Sequence, residues 1–101
     1  MKQTLIRYKT TPESADENQR LIENVFDELL VAAPEGLRYM VLRLEDGNFA
    51  HLVSFEQDDG AQKINALEAF KAFQKSIKER CVEPPQSSSA TIVGNYRMLG
   101  E

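Results

Sequence analysis

Few residues in this chain can do chemistry. His51 is the one histidine, and it sits in the run Phe49 to Glu56 where apolar residues take every second position. An imidazole with its ordinary pKa of about 6.5 offers one donor and one acceptor when neutral. It can take a proton from a phenolic compound, or it can orient a neighbouring group. Tyr8 near the start and Tyr96 near the end supply phenolic hydroxyls that can share such a site. The plainer reading is a core histidine whose nitrogens are satisfied locally. Cys81 is the single cysteine, and no second histidine is present to activate it, so it reads as a small buried hydrophobe. One histidine and one cysteine leave almost no scope for a zinc site built from protein ligands, and none for an internal disulfide. No metal site is expected. The segment Asp58-Asp59-Gly60 lacks the spacing of a calcium loop and reads as a turn. Glycine-rich nucleotide motifs and the serine-hydrolase elbow are absent.

These residues must be held by a single small domain of 101 residues. Hydrophobic residues at 42% and charged residues at 28% are a globular balance. The net charge of −4 argues against a nucleic-acid partner, since there is no basic excess to displace counterions. No apolar run approaches the roughly 18 residues of a membrane span, and the opening MKQTLIRYKT lacks the apolar core of a signal peptide. The expectation is a cytoplasmic protein without a membrane partner.

Six elements follow from periodicity and punctuation. Thr4 to Lys9 reads as a strand, and Thr11-Pro12 opens a helix whose apolar stripe is Leu21, Ile22, Val25, Phe26, Leu29 and Leu30. Pro34-Glu35-Gly36 stops it. Leu37 to Glu45 and Phe49 to Glu56 form a hairpin through Asp46-Gly47, a pair suited to a tight turn with positive φ. A second helix, capped near Asn65, carries Leu67, Phe70, Phe73, Ile77 and Cys81 on one face. Pro84-Pro85 and Ser87-Ser88-Ser89 read as a loop, and Ala90 to Leu99 as the last strand. The order β-α-β-β-α-β predicts an α+β, ferredoxin-like domain: a four-stranded antiparallel sheet with both helices on one face. The bare face then calls for cover, most simply by a second copy.

A two-residue hairpin loop pairs Leu44 with Phe49, Leu42 with His51 and Met40 with Val53, and paired residues share a face. Met40, Leu42, Leu44, Phe49, His51, Val53 and Phe55 are therefore expected beneath the helices, with Ile6, Tyr8, Ile92, Tyr96 and Met98. Tyr39, Val41 and Arg43 are expected on the outer face, where Arg7, Arg43 and Arg97 would cluster. A one-residue bulge in the hairpin would reverse the assignment for one strand. A pocket between sheet and helices would have His51, Tyr8 and Tyr96 as its polar groups. Phe26, Leu42, Phe70 and Phe73 would be its apolar lining.

The opening LIRYKTTPESADENQRLI, the hairpin GLRYMVLRLEDGNFAHLVSFE and the helix AFKAFQKSIKERC resemble the antibiotic biosynthesis monooxygenase-like family over essentially the whole chain. The resemblance implies a homodimer of the dimeric α/β-barrel type, joined through the open sheet faces, with a pocket in each subunit. It also implies oxygenation of a small aromatic or hydrophobic compound with no cofactor, the substrate's own phenolate supplying electrons to oxygen. In that scheme His51 is the base or orienting group, and Tyr8 and Tyr96 hydrogen-bond to the substrate. A dimeric binding protein for a hydrophobic metabolite is the non-catalytic alternative, and a dimer with a closed pocket is a third.

Overall fold

The computed structural model describes residues 2–56 and 60–100. Strand β1 (Lys2–Thr10) runs into Thr11, whose Oγ1 accepts the Ser14 backbone N–H at 3.2 Å, and Pro12 follows at the first turn. This entry leads to helix α1 (Ala15–Ala32), which buries Ala15, Asn18, Ile22 and Val25 along one stripe. Leu30 was expected in that stripe but is 83% exposed, because it lies five residues, and so well over one turn, beyond Val25. The helix ends at Ala33, which is left-handed (φ 45°, ψ 55°) and sends its N–H to the Leu29 carbonyl at 2.8 Å. Pro34 cannot extend it.

Strands β2 (Leu37–Arg43) and β3 (Asn48–Phe55) form the expected hairpin with a different register. Asp46 and Gly47 both have positive φ, as expected, but Glu45 joins them in the turn, making the loop three residues long. Leu44 N–H reaches the Asn48 carbonyl at 2.8 Å, and Val41 pairs with His51 where Leu42 was expected. That single residue inverts β2. Tyr39, Val41 and Arg43 share the helix side with Phe49, His51 and Val53. Met40, Leu42 and Leu44 move to the outer face. Gly47 also lies against β1: a Cβ there would stand 2.7 Å from the Thr10 carbonyl oxygen.

The second helical region comprises α2 (Gly60–Asn65), α3 (Glu68–Lys75) and α4 (Ile77–Arg80). The turn expected at Asp58-Asp59 lies outside the described residues. Asn65 ends α2 and does not cap the next helix. The first N–H groups of α3, those of Glu68 and Ala69, donate instead to the Glu28 carboxylate of α1 at 3.2 and 2.8 Å. Ser76 breaks the helix before α4, and Cys81, expected on the helix, begins the last strand.

The last strand corrects the sequence reading most. β4 is Cys81–Ala90, so it contains the segment expected to be a loop, and residues 91–99 trail beyond it, exposed. β4 pairs antiparallel with β1, from Thr10 with Cys81 to Gln3 with Ala90. It is an edge strand in the order β2-β3-β1-β4, where prolines are tolerated, and the register shifts opposite Tyr8, where Pro84 and Pro85 cannot donate ladder hydrogen bonds. The architecture is the ferredoxin-like one. Tyr8 and Phe49 of the sheet pack beneath Ile22, Val25, Ile64, Leu67 and Phe73. Arg7 stays on the outer face, Arg43 turns to the helix side and Arg97 lies in the tail over the Tyr96 ring, so the expected arginine cluster does not form. Among the described residues no helix is long and apolar enough to cross a membrane.

Candidate functional site

The centre of the molecule is a chain of hydrogen bonds that runs from α4 through α1 onto three strands of the sheet. Tyr8 on β1 and His51 on β3 meet with hydroxyl and Nε2 2.8 Å apart. On the other side of the ring, Nδ1 lies 2.7 Å from the hydroxyl of Tyr39 on β2. Three strands thus each contribute one polar side chain to the helix face. Above them, Asn18 of α1 donates from Nδ2 to the Tyr8 hydroxyl at 2.9 Å, and Arg80 of α4 donates from Nε to Asn18 Oδ1 at 2.9 Å. Arg80 is further held by Ser76 Oγ at 3.0 Å and the Phe73 carbonyl at 2.7 Å. It is buried, with no carboxylate partner among the described residues.

Aromatic rings wrap this chain. Tyr8 stacks on Phe49 at 5.6 Å between centroids, and Phe73 lies 5.6 Å from His51. Burial acts on the histidine and on both tyrosines. It pushes His51 down to about 4, so the imidazole is neutral at physiological pH, and it raises both Tyr8 and Tyr39 well above the ordinary phenol range. For Tyr8 the Asn18 hydrogen bond works against the rise. Burial likewise raises the Cys81 thiol, with Arg80 opposing, so the cysteine is not an activated nucleophile.

Tyr39 is the member of the three that borders a cleft beside α1; Tyr8 borders a smaller cavity of about 140 Å³ toward β4. The cleft, of about 470 Å³, lies between α1 and the β2 edge, bordered by Ile22, Phe26, Tyr39, Val41 and Phe49, with Arg43 at its rim. Phe26 stacks on the Tyr39 ring at 5.0 Å. Arg43 is braced by Gln19 Oε1 at 2.6 Å and Asp16 Oδ1 at 3.0 Å. His51, at 3% exposure, does not line the cleft, and its contact with that space runs through Tyr39.

Of the residues expected in the site, His51 and Tyr8 are brought together and Phe26 borders the cleft. Phe73 packs over the histidine, and Phe70 packs on Phe73 at 6.0 Å, one layer from the network. Tyr96 is not with them: it is 86% exposed in the tail, because the strand that would have carried it inward ends at Ala90. Leu42 is on the outer face and 53% exposed, a consequence of the longer hairpin loop. The sequence reading missed Tyr39, Asn18 and Arg80. Asn18 was legible as a polar residue four positions before Ile22 on the buried stripe of α1. Among the described residues no group of His, Cys, Asp and Glu is arranged to hold a metal ion.

With this geometry the chain takes its place among solved folds. It superimposes on a crystal structure of an antibiotic biosynthesis monooxygenase with a TM-score of 0.74 at 16% identity, over 93% of this chain and all of that one. A candidate antibiotic biosynthesis monooxygenase from Caulobacter crescentus matches with a TM-score of 0.75 at 17% identity, covering 92% of this chain and 90% of the other. The protein Rv0793 from Mycobacterium tuberculosis gives 0.74 at 10% identity, over 93% and 96% of the two chains. The chain therefore has the fold of proteins described as antibiotic biosynthesis monooxygenases, as the sequence resemblance implied. No family model matches the sequence, and no curated protein is similar to it.

Proposed function

We propose that this protein is an antibiotic biosynthesis monooxygenase-like enzyme that binds a small aromatic compound in the cleft between α1 and β2 and oxygenates it without a cofactor. The observation that carries the reading is the Tyr8–His51–Tyr39 chain, ending at the one tyrosine that borders an otherwise largely apolar cleft. A ring stacked beside Phe26 would bring its oxygen substituent to the Tyr39 hydroxyl. His51 orients that hydroxyl from behind, and Phe73 and Tyr8 hold the imidazole in place.

The chemistry draws its electrons from the substrate. A ketone conjugated through the ring with a CH₂ group, as in an anthrone, loses one CH₂ proton to water through the open cleft. The carbanion form of the resulting enolate gives its electrons to molecular oxygen, and water returns the proton to the peroxide formed at that carbon. One oxygen atom becomes the new carbonyl at that carbon and the other leaves as water with the two hydrogens of the CH₂ group, so electrons and atoms balance. Tyr39 favours the anion by hydrogen bonding, and the apolar walls hold the ring in a fixed orientation. The functional unit is a homodimer that covers the outer sheet face.

Oxygen uptake with an anthrone-type compound tests this. Turnover is expected, and Tyr39→Phe should lower kcat by about 100-fold or more, the range typical for loss of an oriented donor. His51→Ala should lower it too. Full turnover in either variant removes its residue from the role. Saturable binding of the same compound with no oxygen uptake would instead favour the alternative, a dimeric binding protein, which the same cleft supports.

A further inference from the structure

The hydrogen-bond chain has a direction, and Arg80 sets it. A guanidinium donates and never accepts, so Asn18 must turn its oxygen to Arg80 and its NH₂ to Tyr8. The Tyr8 hydroxyl then accepts from Asn18, and the one acceptor left for its own hydrogen is His51 Nε2 at 2.8 Å. A neutral imidazole with Nε2 bare carries its hydrogen on Nδ1, which donates to Tyr39 at 2.7 Å. Tyr39 thus accepts from behind, and its own hydrogen finds no acceptor among the described residues. The opposite polarity would leave the Tyr8 hydrogen buried without an acceptor, a penalty the first arrangement avoids.

We infer that this one-way chain presents Tyr39 to the cleft as a donor, so the ligand must offer an accepting oxygen: a phenolate, an enolate or a carbonyl. Asn18 is the positioning residue that makes it so. Arg80 strengthens the bias, because a buried cation without a carboxylate partner polarises each donor along the chain toward a negative ligand oxygen. The inference rests on the cleft assignment above for its ligand, and on the network alone for its direction. The charged groups that face the cleft are Arg43 and Glu23, both at its rim.

Asn18→Asp reverses the chain with almost no change in volume. Both aspartate oxygens accept, one from Arg80 and one from the Tyr8 hydroxyl. Tyr8 must then accept from Nε2–H, and Tyr39 must donate inward to Nδ1. Because the chain has a single histidine, its tautomer reads directly from long-range ¹H–¹⁵N spectra of uniformly labelled protein. The expected result is hydrogen on Nδ1 in the wild type and on Nε2 in Asn18→Asp. Nε2–H in the wild type, or Nδ1–H in both proteins, overturns the direction whatever the cleft binds.

The ligand side is read with 4-nitrophenol, whose colour reports its ionisation. The wild type should prefer the anion at least tenfold, moving its ionisation down by ~1 pH unit, and Asn18→Asp should lose or invert that preference. Preference for neutral 4-nitrophenol in the wild type overturns the donor role of Tyr39. The expected tautomers with no binding of 4-nitrophenol at all would uphold the direction and overturn the cleft as the ligand site, and with it the proposed function.

Discussion

At the scale of single residues, His51 decides how the protein responds to acid. Its pKa falls from about 6.5 in the unfolded chain to about 4 in the fold, because burial penalises the imidazolium. Between those values the unfolded chain binds a proton that the native state refuses. Stability is therefore fully present above about pH 6.5 and is lost progressively as the pH falls toward 4. The whole window amounts to about 3 kcal/mol from this one group, a large share of the stability of a small domain. His51→Gln has no such titration. Its urea-unfolding free energy should fall less steeply on acidification below pH 6.5 than that of the wild type, although it is lower at neutral pH. Parallel pH profiles for the two proteins would show that the imidazole is not held neutral. The role of His51 at the centre was legible from its place on an alternating strand. That of Tyr39 was not, because one extra loop residue decided which face of β2 turned inward.

At the scale of elements, the strands and helices were legible in order and type, and the errors fall where a local pattern competed with tertiary pairing. Residues 90–99 look more strand-like by composition than Cys81–Ala90 with its two prolines and three serines. The strand forms at the less suited segment because α4 ends at Arg80, with Thr11 N–H on the Arg80 carbonyl at 2.9 Å. That anchor starts β4 beside Thr10, and the unpaired edge of β1 fixes the rest of the register. The end of α1 shows the reverse case, a residue poorly suited to its place. Ala33 has φ of 45°, where a Cβ costs roughly 1–2 kcal/mol and glycine is free of that penalty. Allowing for the greater freedom glycine has in the unfolded chain, Ala33→Gly should stabilise the protein by ~0.5–1 kcal/mol. An upward shift in the urea midpoint with unchanged slope is the expected signature. A downward shift would mean that the end of α1 is not left-handed in solution.

At the scale of the whole molecule, the side of the sheet away from the helices has, among the described residues, no helix or strand to cover it. Leu5 pairs with Leu52 near its middle, and Met40 and Leu42 extend the apolar surface along β2. The segment after β4 adds Ile92, Val93, Tyr96, Met98 and Leu99, each more than half exposed. This tail borders the same face yet leaves a space of about 840 Å³ between itself and Met40, Leu52 and Ser54, so it does not serve as a lid. An apolar surface of this continuity, on a domain too small to bury much elsewhere, is best met by a second copy bringing an identical face and tail. Sedimentation at micromolar concentration should therefore give a dimer. Leu5→Lys combined with Leu52→Glu places opposite charges on directly paired positions, which keeps the strands compatible while removing the apolar centre of the face. The double variant should sediment as a monomer with an unchanged far-ultraviolet circular dichroism spectrum. A monomeric wild type would leave the outer face without the partner argued for it. A dimer that survives both substitutions would move the interface to the β2 edge, where it would lie across the mouth of the Tyr39 cleft.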